Sequence, residues 1–248
     1  MFLPLKDINP TQRRPIATYS LIAANVAVFI YQMSLGERLG NAFVTSYGAI
    51  PYEITHMADL VGKVAAGSQQ IIHYPGPHPI FLTLFTSMFL HGSVAHIAGN
   101  MLFLWIFGNN VEDILGPARF VVFYLLGGLA AHALHIASNP SSVMPTIGAS
   151  GAISGVLGAY LVAFPRARVL TLVFLGFFVR LAYIPAFVII IYWFVVQFVF
   201  ALLSLGGEPS GGVAWFAHVG GFLAGIALIY LMAGRRISWL RRGGFREG

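Results

Sequence analysis

Long apolar segments, separated by short polar connectors, dominate the chain. Six of them lie at about residues 16–34, 93–110, 119–137, 149–164, 184–204 and 213–233. A helix of about 20 apolar residues crosses the ~30 Å hydrocarbon core of a bilayer. The fourth segment is shorter, so we expect the other helices to enclose it. The pattern predicts an all-α polytopic membrane protein with six transmembrane helices in one bundle.

Two other apolar stretches lie between these spans. Residues 79–90, within the long connector 35–92, are too few to span, so we expect a re-entrant or interfacial segment whose backbone is covered by protein. Residues 169–181 either lie at the inner membrane surface or extend the fifth span. The expected divisions are an N-terminal segment 1–15, a membrane domain 16–233 and a basic tail 234–248.

The distribution of charge sets the expected orientation. Of the 248 residues, 58% are hydrophobic and 9% are charged, against about 25% charged residues in soluble domains. Of the 14 Lys and Arg residues, all but Arg38 and Lys63 fall at the two ends and in connectors on one side. The positive-inside rule places that side, and both termini, in the cytoplasm. Because the basic residues border the spans, the net charge of +6 does not indicate a nucleic-acid partner.

The N-terminal part combines a basic start with an apolar run, as a signal peptide does. No convincing small-residue cleavage site follows, so we expect the first span to be retained. The six-span layout suggests a bacterial cell membrane. The chain has no cysteine, which excludes disulfides, thiolate nucleophiles and Cys-ligated metals.

Two polar side chains at the start of spans carry candidate chemistry. Ser150 opens the fourth span, and His218 opens the sixth, with Gly221 and Gly225 near the same helix face. If these glycines contact the small residues of the fourth span, the imidazole reaches the hydroxyl and can take its proton. Two plainer interpretations stay open. In the first, the small residues of the fourth span serve only for close helix packing. In the second, His218 only forms a hydrogen bond with a backbone carbonyl.

A pair of polar side chains also opens the second span. His96 and Asn100 are four residues apart and share a helix face, and both side chains can donate hydrogen bonds to a developing oxyanion. His91 falls on a different face, so the two histidines make no clean metal pair, and no metal site or cofactor is predicted. With both termini on one side, the second, fourth and sixth spans run in the same direction. Their first turns therefore lie at similar depth.

The order and spacing of four short motifs make the chain resemble the rhomboid intramembrane serine proteases. The resemblance covers residues 16–233. The motifs are His91-x4-His96-x3-Asn100, Glu112-x3-Gly116, Gly148-Ala149-Ser150-Gly151 and Ala217-His218 with Gly221 and Gly225. The resemblance implies a compact six-helix bundle around a water-accessible cavity. It also implies that residues 35–92 are a partly embedded first loop, and that the fifth span and residues 205–212 are a mobile gate and cap.

The resemblance also implies roles for individual residues. By this resemblance, Ser150 would be the nucleophile and His218 the general base, while His96 and Asn100 would donate to the oxyanion. His91, Gly148, Gly151 and Gly221 would support the site. Two positions depart from some rhomboids: Leu82 and Thr83 replace a Trp-Arg pair, and Ser154 replaces a tyrosine that packs on the catalytic imidazole. Another group must therefore position His218.

The predicted function is hydrolysis of peptide bonds in or near the transmembrane segments of other membrane proteins. Two rivals remain. A non-catalytic rhomboid-like protein would bind transmembrane helices, but such proteins typically lack Ser150 or His218 equivalents. A transporter would show an inverted repeat as similarity between its halves, and the sequence shows none.

Overall fold

Helices make up most of the chain in the computed structural model, which describes residues 2–66, 69–176, 178–206 and 213–241. The helices are α1 (Ile16–Ser34), α2 (Gly36–Tyr47), α3 (Pro51–His56), α4 (Thr83–Thr86), α5 (Val94–Phe103), α6 (Asn109–Leu115), α7 (Pro117–Ser138), α8 (Ser150–Ala163), α9 (Ala186–Leu203) and α10 (Trp215–Arg241). A π-helical turn, Leu104–Gly108, joins α5 to α6, and α10 is kinked at Ala233. The strands are β1 (Phe2–Asp7), β2 (Gly62–Ala66), β3 (Gln69–His73), β4 (Arg168–Leu175) and β5 (Phe178–Pro185).

Several helices have the length and apolarity of membrane spans. Within the described residues these are α1, α7, α9 and Trp215–Ser238 of α10. The segment Ile80–Phe89 passes the same test only together with Val94–Leu115, to which it lies at 83°. It does not continue that helix, in agreement with a re-entrant segment. The protein is therefore an integral membrane protein, and four or five of the six predicted spans meet the length criterion.

Helix α8 is the short fourth span. Its 14 residues rise about 21 Å, less than the hydrocarbon thickness, and nearly all of them are buried. The expectation that other helices enclose it is confirmed. Small residues allow this enclosure: a Cβ on Gly225 of α10 would overlap the carbonyl oxygen of Gly155, and one on Gly158 would overlap that of Phe222. The backbones of α8 and α10 are thus in direct contact.

A three-stranded antiparallel sheet in the order β1-β4-β5 occupies the region after α8. Strand β4 pairs on one side with β1, at Leu3↔Leu172, and on the other with β5, at Leu172↔Leu181. Residues 169–181 therefore do not extend the fifth span, and α9 begins after Pro185. The protein is thus mostly helical rather than all-α as predicted. The apolar pattern of the sequence indicated neither this sheet nor the β2-β3 hairpin.

Carboxylates of α6 hold the N-terminal segment against the bundle. Helix α1 starts after Pro15 without a side-chain cap of its own. Glu112 takes that place, because its carboxylate accepts hydrogen bonds from the backbone N–H groups of Ala17 at 2.9 Å and Thr18 at 2.7 Å. Asp113 accepts from the backbone N–H groups that precede the helix. Free helix N-terminal N–H groups bind carboxylates favourably.

A second contact joins β1 to the same end of the bundle. Asp7 is buried and accepts hydrogen bonds from Tyr160 Oη at 2.9 Å and Asn110 Nδ2 at 2.7 Å. Burial raises the pKa of Asp7, while these hydrogen bonds oppose the rise. From the other terminus, Arg236 Nη1 donates to the carbonyl of Ile114 at 3.0 Å. The two terminal segments therefore reach the same end of the bundle.

Candidate active site

The first turn of α8 and the first turn of α10 bring Ser150 and His218 together. Ser150 Oγ lies 2.7 Å from His218 Nε2, within hydrogen-bond distance. Ser150 is the first residue of α8, so its backbone N–H is one of the free N–H groups at the helix start. His218 is buried, and Ser150 is half-buried.

Two glycines make this distance possible. A Cβ on Gly221 would overlap the carbonyl oxygen of Gly151, so α10 contacts α8 one turn from the pair. A Cβ on Gly151 would lie 2.6 Å from Cβ of Ala131 in α7. Any side chain at either position would therefore push a helix away. The close approach predicted for Gly221 is present, with the fourth span as its partner.

Gly148 determines how the chain enters α8. Its φ of +121° favours glycine, and a Cβ there would lie 2.8 Å from Nε2 of His96. The same position is 3.7 Å from Nδ2 of Asn100. Only a residue without a side chain lets the start of α8 come this close to the α5 pair.

Hydrogen bonds fix which atoms of His96 and Asn100 are donors. The N–H of Gly92 points at His96 Nδ1 at 3.4 Å, so the ring proton of a neutral His96 lies on Nε2, towards Gly148. Asn100 Nδ2 lies 2.9 Å from His91 Nε2. An amide nitrogen only donates, so His91 accepts one of its two hydrogens and the other is free to bind elsewhere. Ser93 caps α5 by accepting from the N–H of His96.

The segment Ile80–Phe89 anchors the loop before Ser150. The N–H of Gly148 donates to the carbonyl of Ser87 at 2.9 Å, and Ser87 Oγ lies 3.0 Å from Nε2 of His132 in α7. Thr83, where some rhomboids carry Arg, is buried and bonds to the carbonyl of Ile80, while Leu82 is exposed. In this chain the segment contacts the site through its backbone and Ser87.

Two residues of α9 that the sequence analysis did not single out contact His218. Gln197 Oε1 lies 2.7 Å from His218 Nδ1, and the Trp193 ring centroid lies 5.9 Å from the imidazole. Ser154 does not replace the missing tyrosine, since its hydroxyl donates to the carbonyl of Ser150. The signal for Gln197 was available, because it is the only carboxamide in an otherwise apolar helix.

A cavity of about 1520 Å³ joins these groups to the surroundings, with His96, Asn100, Gly148, Ser150 and His218 among its lining residues. Ser150, His218 and the His96–Asn100 pair, which were predicted to lie at similar depth, thus line one cavity, while His91 is buried behind it. In the described part of the chain, no group of three or more His, Cys, Asp or Glu residues is arranged to hold a metal ion. The predicted cap, 205–212, lies mostly outside the described residues.

Comparison with known proteins decides the family. The model of the Rhomboid domain matches residues 79–235, more than half of the chain. The chain belongs to the rhomboid family. It is 34% identical over 97 residues to Rhomboid protein 1, mitochondrial, of Saccharomyces cerevisiae, and 46% identical over 78 residues to Rhomboid protease GluP of Bacillus subtilis. It is 28% identical over 232 residues to RHOMBOID-like protein 4 of Arabidopsis thaliana.

The extent of these rhomboid alignments differs. The alignment with the yeast protein covers 38% of this chain and 28% of the relative, and the alignment with GluP covers 32% and 15%. The alignment with the Arabidopsis protein covers 89% of this chain and 54% of the relative. The chain therefore spans about half, or less, of the length of these relatives. The family match, residues 79–235, contains α5, α8 and most of α10.

Proposed function

We propose that this rhomboid protein is an intramembrane serine endopeptidase, which cleaves peptide bonds in or near the transmembrane segments of other membrane proteins. The observation that carries the proposal is the 2.7 Å contact between Ser150 Oγ and His218 Nε2 beside a cavity. A relative that is itself named a protease, GluP, supports the same class of activity. The chemistry requires no cofactor.

In the proposed mechanism, Ser150 Oγ attacks the scissile carbonyl carbon while His218 Nε2 takes the hydroxyl proton. The carbonyl oxygen becomes an oxyanion and accepts hydrogen bonds from His96 Nε2–H, the free Asn100 Nδ2–H and the Ser150 N–H. When the peptide C–N bond breaks, His218 returns the proton to the leaving amine. Water from the cavity, deprotonated by His218, then hydrolyses the acyl-Ser150 ester.

The proposed membrane arrangement has six spans, with α8 as the enclosed fourth span and both termini in the cytoplasm. The contacts of Asp7 and Arg236 at one end of the bundle support an even number of crossings. A bacterial cell membrane stays a prediction, since the yeast relative is mitochondrial.

The test is labelling of the purified protein with a fluorophosphonate, together with cleavage of a model transmembrane substrate. Wild type should be labelled and should cleave, whereas Ser150→Ala should do neither while folding normally. His218→Ala should lose cleavage as fully, and the double variant should be no worse, because the two groups act in one step. A wild-type protein that folds but neither labels nor cleaves would instead indicate a non-catalytic rhomboid-like binder of transmembrane helices.

A further inference from the structure

His218 makes a second hydrogen bond, on the side of its ring away from Ser150. Its Nδ1 lies 2.7 Å from Oε1 of Gln197, and both side chains are buried, at 9% and 7% exposure. A carboxamide oxygen can only accept. The proton of a neutral His218 therefore lies on Nδ1, and the lone pair of Nε2 faces Ser150 Oγ.

We infer that Gln197 is a positioning residue, which holds His218 in the tautomer and ring orientation that removes the Ser150 proton. The inference rests on the proposed function. In the opposite tautomer, Nε2 would carry the hydrogen and could not act as a base. In Ser-His-Asp enzymes a buried carboxylate binds Nδ1–H in the same way. A neutral carboxamide supplies that acceptor without placing a charge inside a membrane domain, where charge is costly.

Other neighbours of His218 hold the ring without bonding to Nδ1. Trp193, one turn before Gln197 in α9, packs at 5.9 Å between ring centroids, and Trp215 contacts the ring edge at 6.2 Å. The ionisable groups that act on His218 in the described structure are His96 of α5 and His135 of α7. Neither is a carboxylate, so the orienting hydrogen bond comes from Gln197.

Three single substitutions in α9 separate this role from packing. Gln197→Met keeps the length of the side chain but loses the strong acceptor. Gln197→Glu keeps the acceptor and adds a negative charge beside Nδ1. Val195→Met is the matched control, because Val195 lies in the same helix and is 49% exposed. Each variant is compared with wild type and with Ser150→Ala in detergent and in reconstituted vesicles.

The rate of fluorophosphonate labelling is the main measurement, since this small reagent reports on the nucleophile without entry of a transmembrane substrate. Gln197→Met should lower both the labelling rate and kcat by about 10- to 100-fold. This loss is smaller than the rate factor of roughly 10²–10⁴ that a general base contributes. KM and thermal stability should stay near those of Val195→Met. Gln197→Glu should recover activity relative to Gln197→Met. Its acidic limb in the pH–rate profile should move up by about one unit, because a carboxylate favours the imidazolium.

The outcomes distinguish the two proposals. Labelling of Ser150→Ala at the wild-type rate would overturn the proposed function itself. Loss of labelling in Ser150→Ala, with wild-type labelling in Gln197→Met, would overturn only the role of Gln197. A Gln197→Met protein that loses thermal stability and raises KM in parallel with kcat would assign Gln197 to packing. Should Gln197→Glu fail to fold, the labelling rate and stability of Gln197→Met decide alone.

Discussion

At the scale of single residues, the site is a set of directed hydrogen bonds. His96 and Asn100 each use one polar atom for a neighbour, Gly92 or His91, and leave one N–H for the cavity. This arrangement holds the two proposed oxyanion donors in place. Preorganised donors are worth most where water is scarce and charge develops only in the transition state.

Removal of either donor should therefore slow turnover without weakening substrate binding. We expect Asn100→Ala and His96→Ala to lower kcat by about 10²–10³-fold, or roughly 2.7–4 kcal/mol, with KM little changed. Steady-state kinetics on a transmembrane substrate measure both constants. Asn41→Ala, the same truncation at an exposed position of α2, should leave both unchanged. A rise in KM with intact kcat would assign the two side chains to binding instead.

At the scale of elements, the contact between α8 and α10 fixes the distance between the proposed nucleophile and the proposed base. Ser150 and His218 sit on different helices, and no covalent or ionic bond among the described residues links those two helices. The backbones touch instead, at Gly151 with Gly221 and at Gly155 with Gly225. Small residues at such positions allow close packing in membranes, where apolar side chains gain little by leaving lipid.

An added methyl group in this contact should separate the helices. Gly225→Ala places a Cβ on the Gly155 carbonyl, and overpacking of this kind costs roughly 1–3 kcal/mol. Thermal unfolding in detergent should show the loss of stability, and turnover should fall because Ser150 moves from His218. Gly234→Ala is the control in the same helix, since its Cβ meets nothing within 4 Å. Equal behaviour of the two variants would mean that the contact does not set the site.

At the scale of the whole molecule, local sequence patterns predicted the helices but did not predict contacts between residues far apart in the chain. Apolar length predicted the long helices, and polar residues at predicted span starts pointed to Ser150, His218, His96 and Asn100, which line one cavity. The sheet was missed because residues 169–181 are apolar enough for either a helix or strands, and β4 gains its second partner from β1, far along the chain. Gln197 was passed over although it is the only carboxamide of α9, because it lies inside its span rather than at the start, where the candidate residues were sought.

The structure also gathers basic residues at one end of the bundle. Strand β1 pairs with β4, and Arg236 bonds to the end of α6, so the N-terminal segment, the connector after α8 and the last helix meet there. The connector 35–92 holds the two other basic residues, Arg38 and Lys63. The basic residues that the sequence places on one side of the membrane therefore belong to segments that meet at one end of the bundle.

Labelling of single cysteines tests this orientation, on which the shared depth of the site depends. The natural chain has no cysteine, so each label reports one position. Gln12→Cys and Ser238→Cys should react with a membrane-impermeant maleimide only after the membrane is opened, because both termini should face the cytoplasm. Val61→Cys, exposed in the long connector, should react in intact cells. Residues 67–68, where a reporter could also be inserted, lie outside the described residues.

Opposite accessibility of Gln12→Cys and Ser238→Cys would require an odd number of crossings. The second, fourth and sixth spans would then not share a direction, and the proposed oxyanion donors and the Ser150–His218 pair would lose their common level.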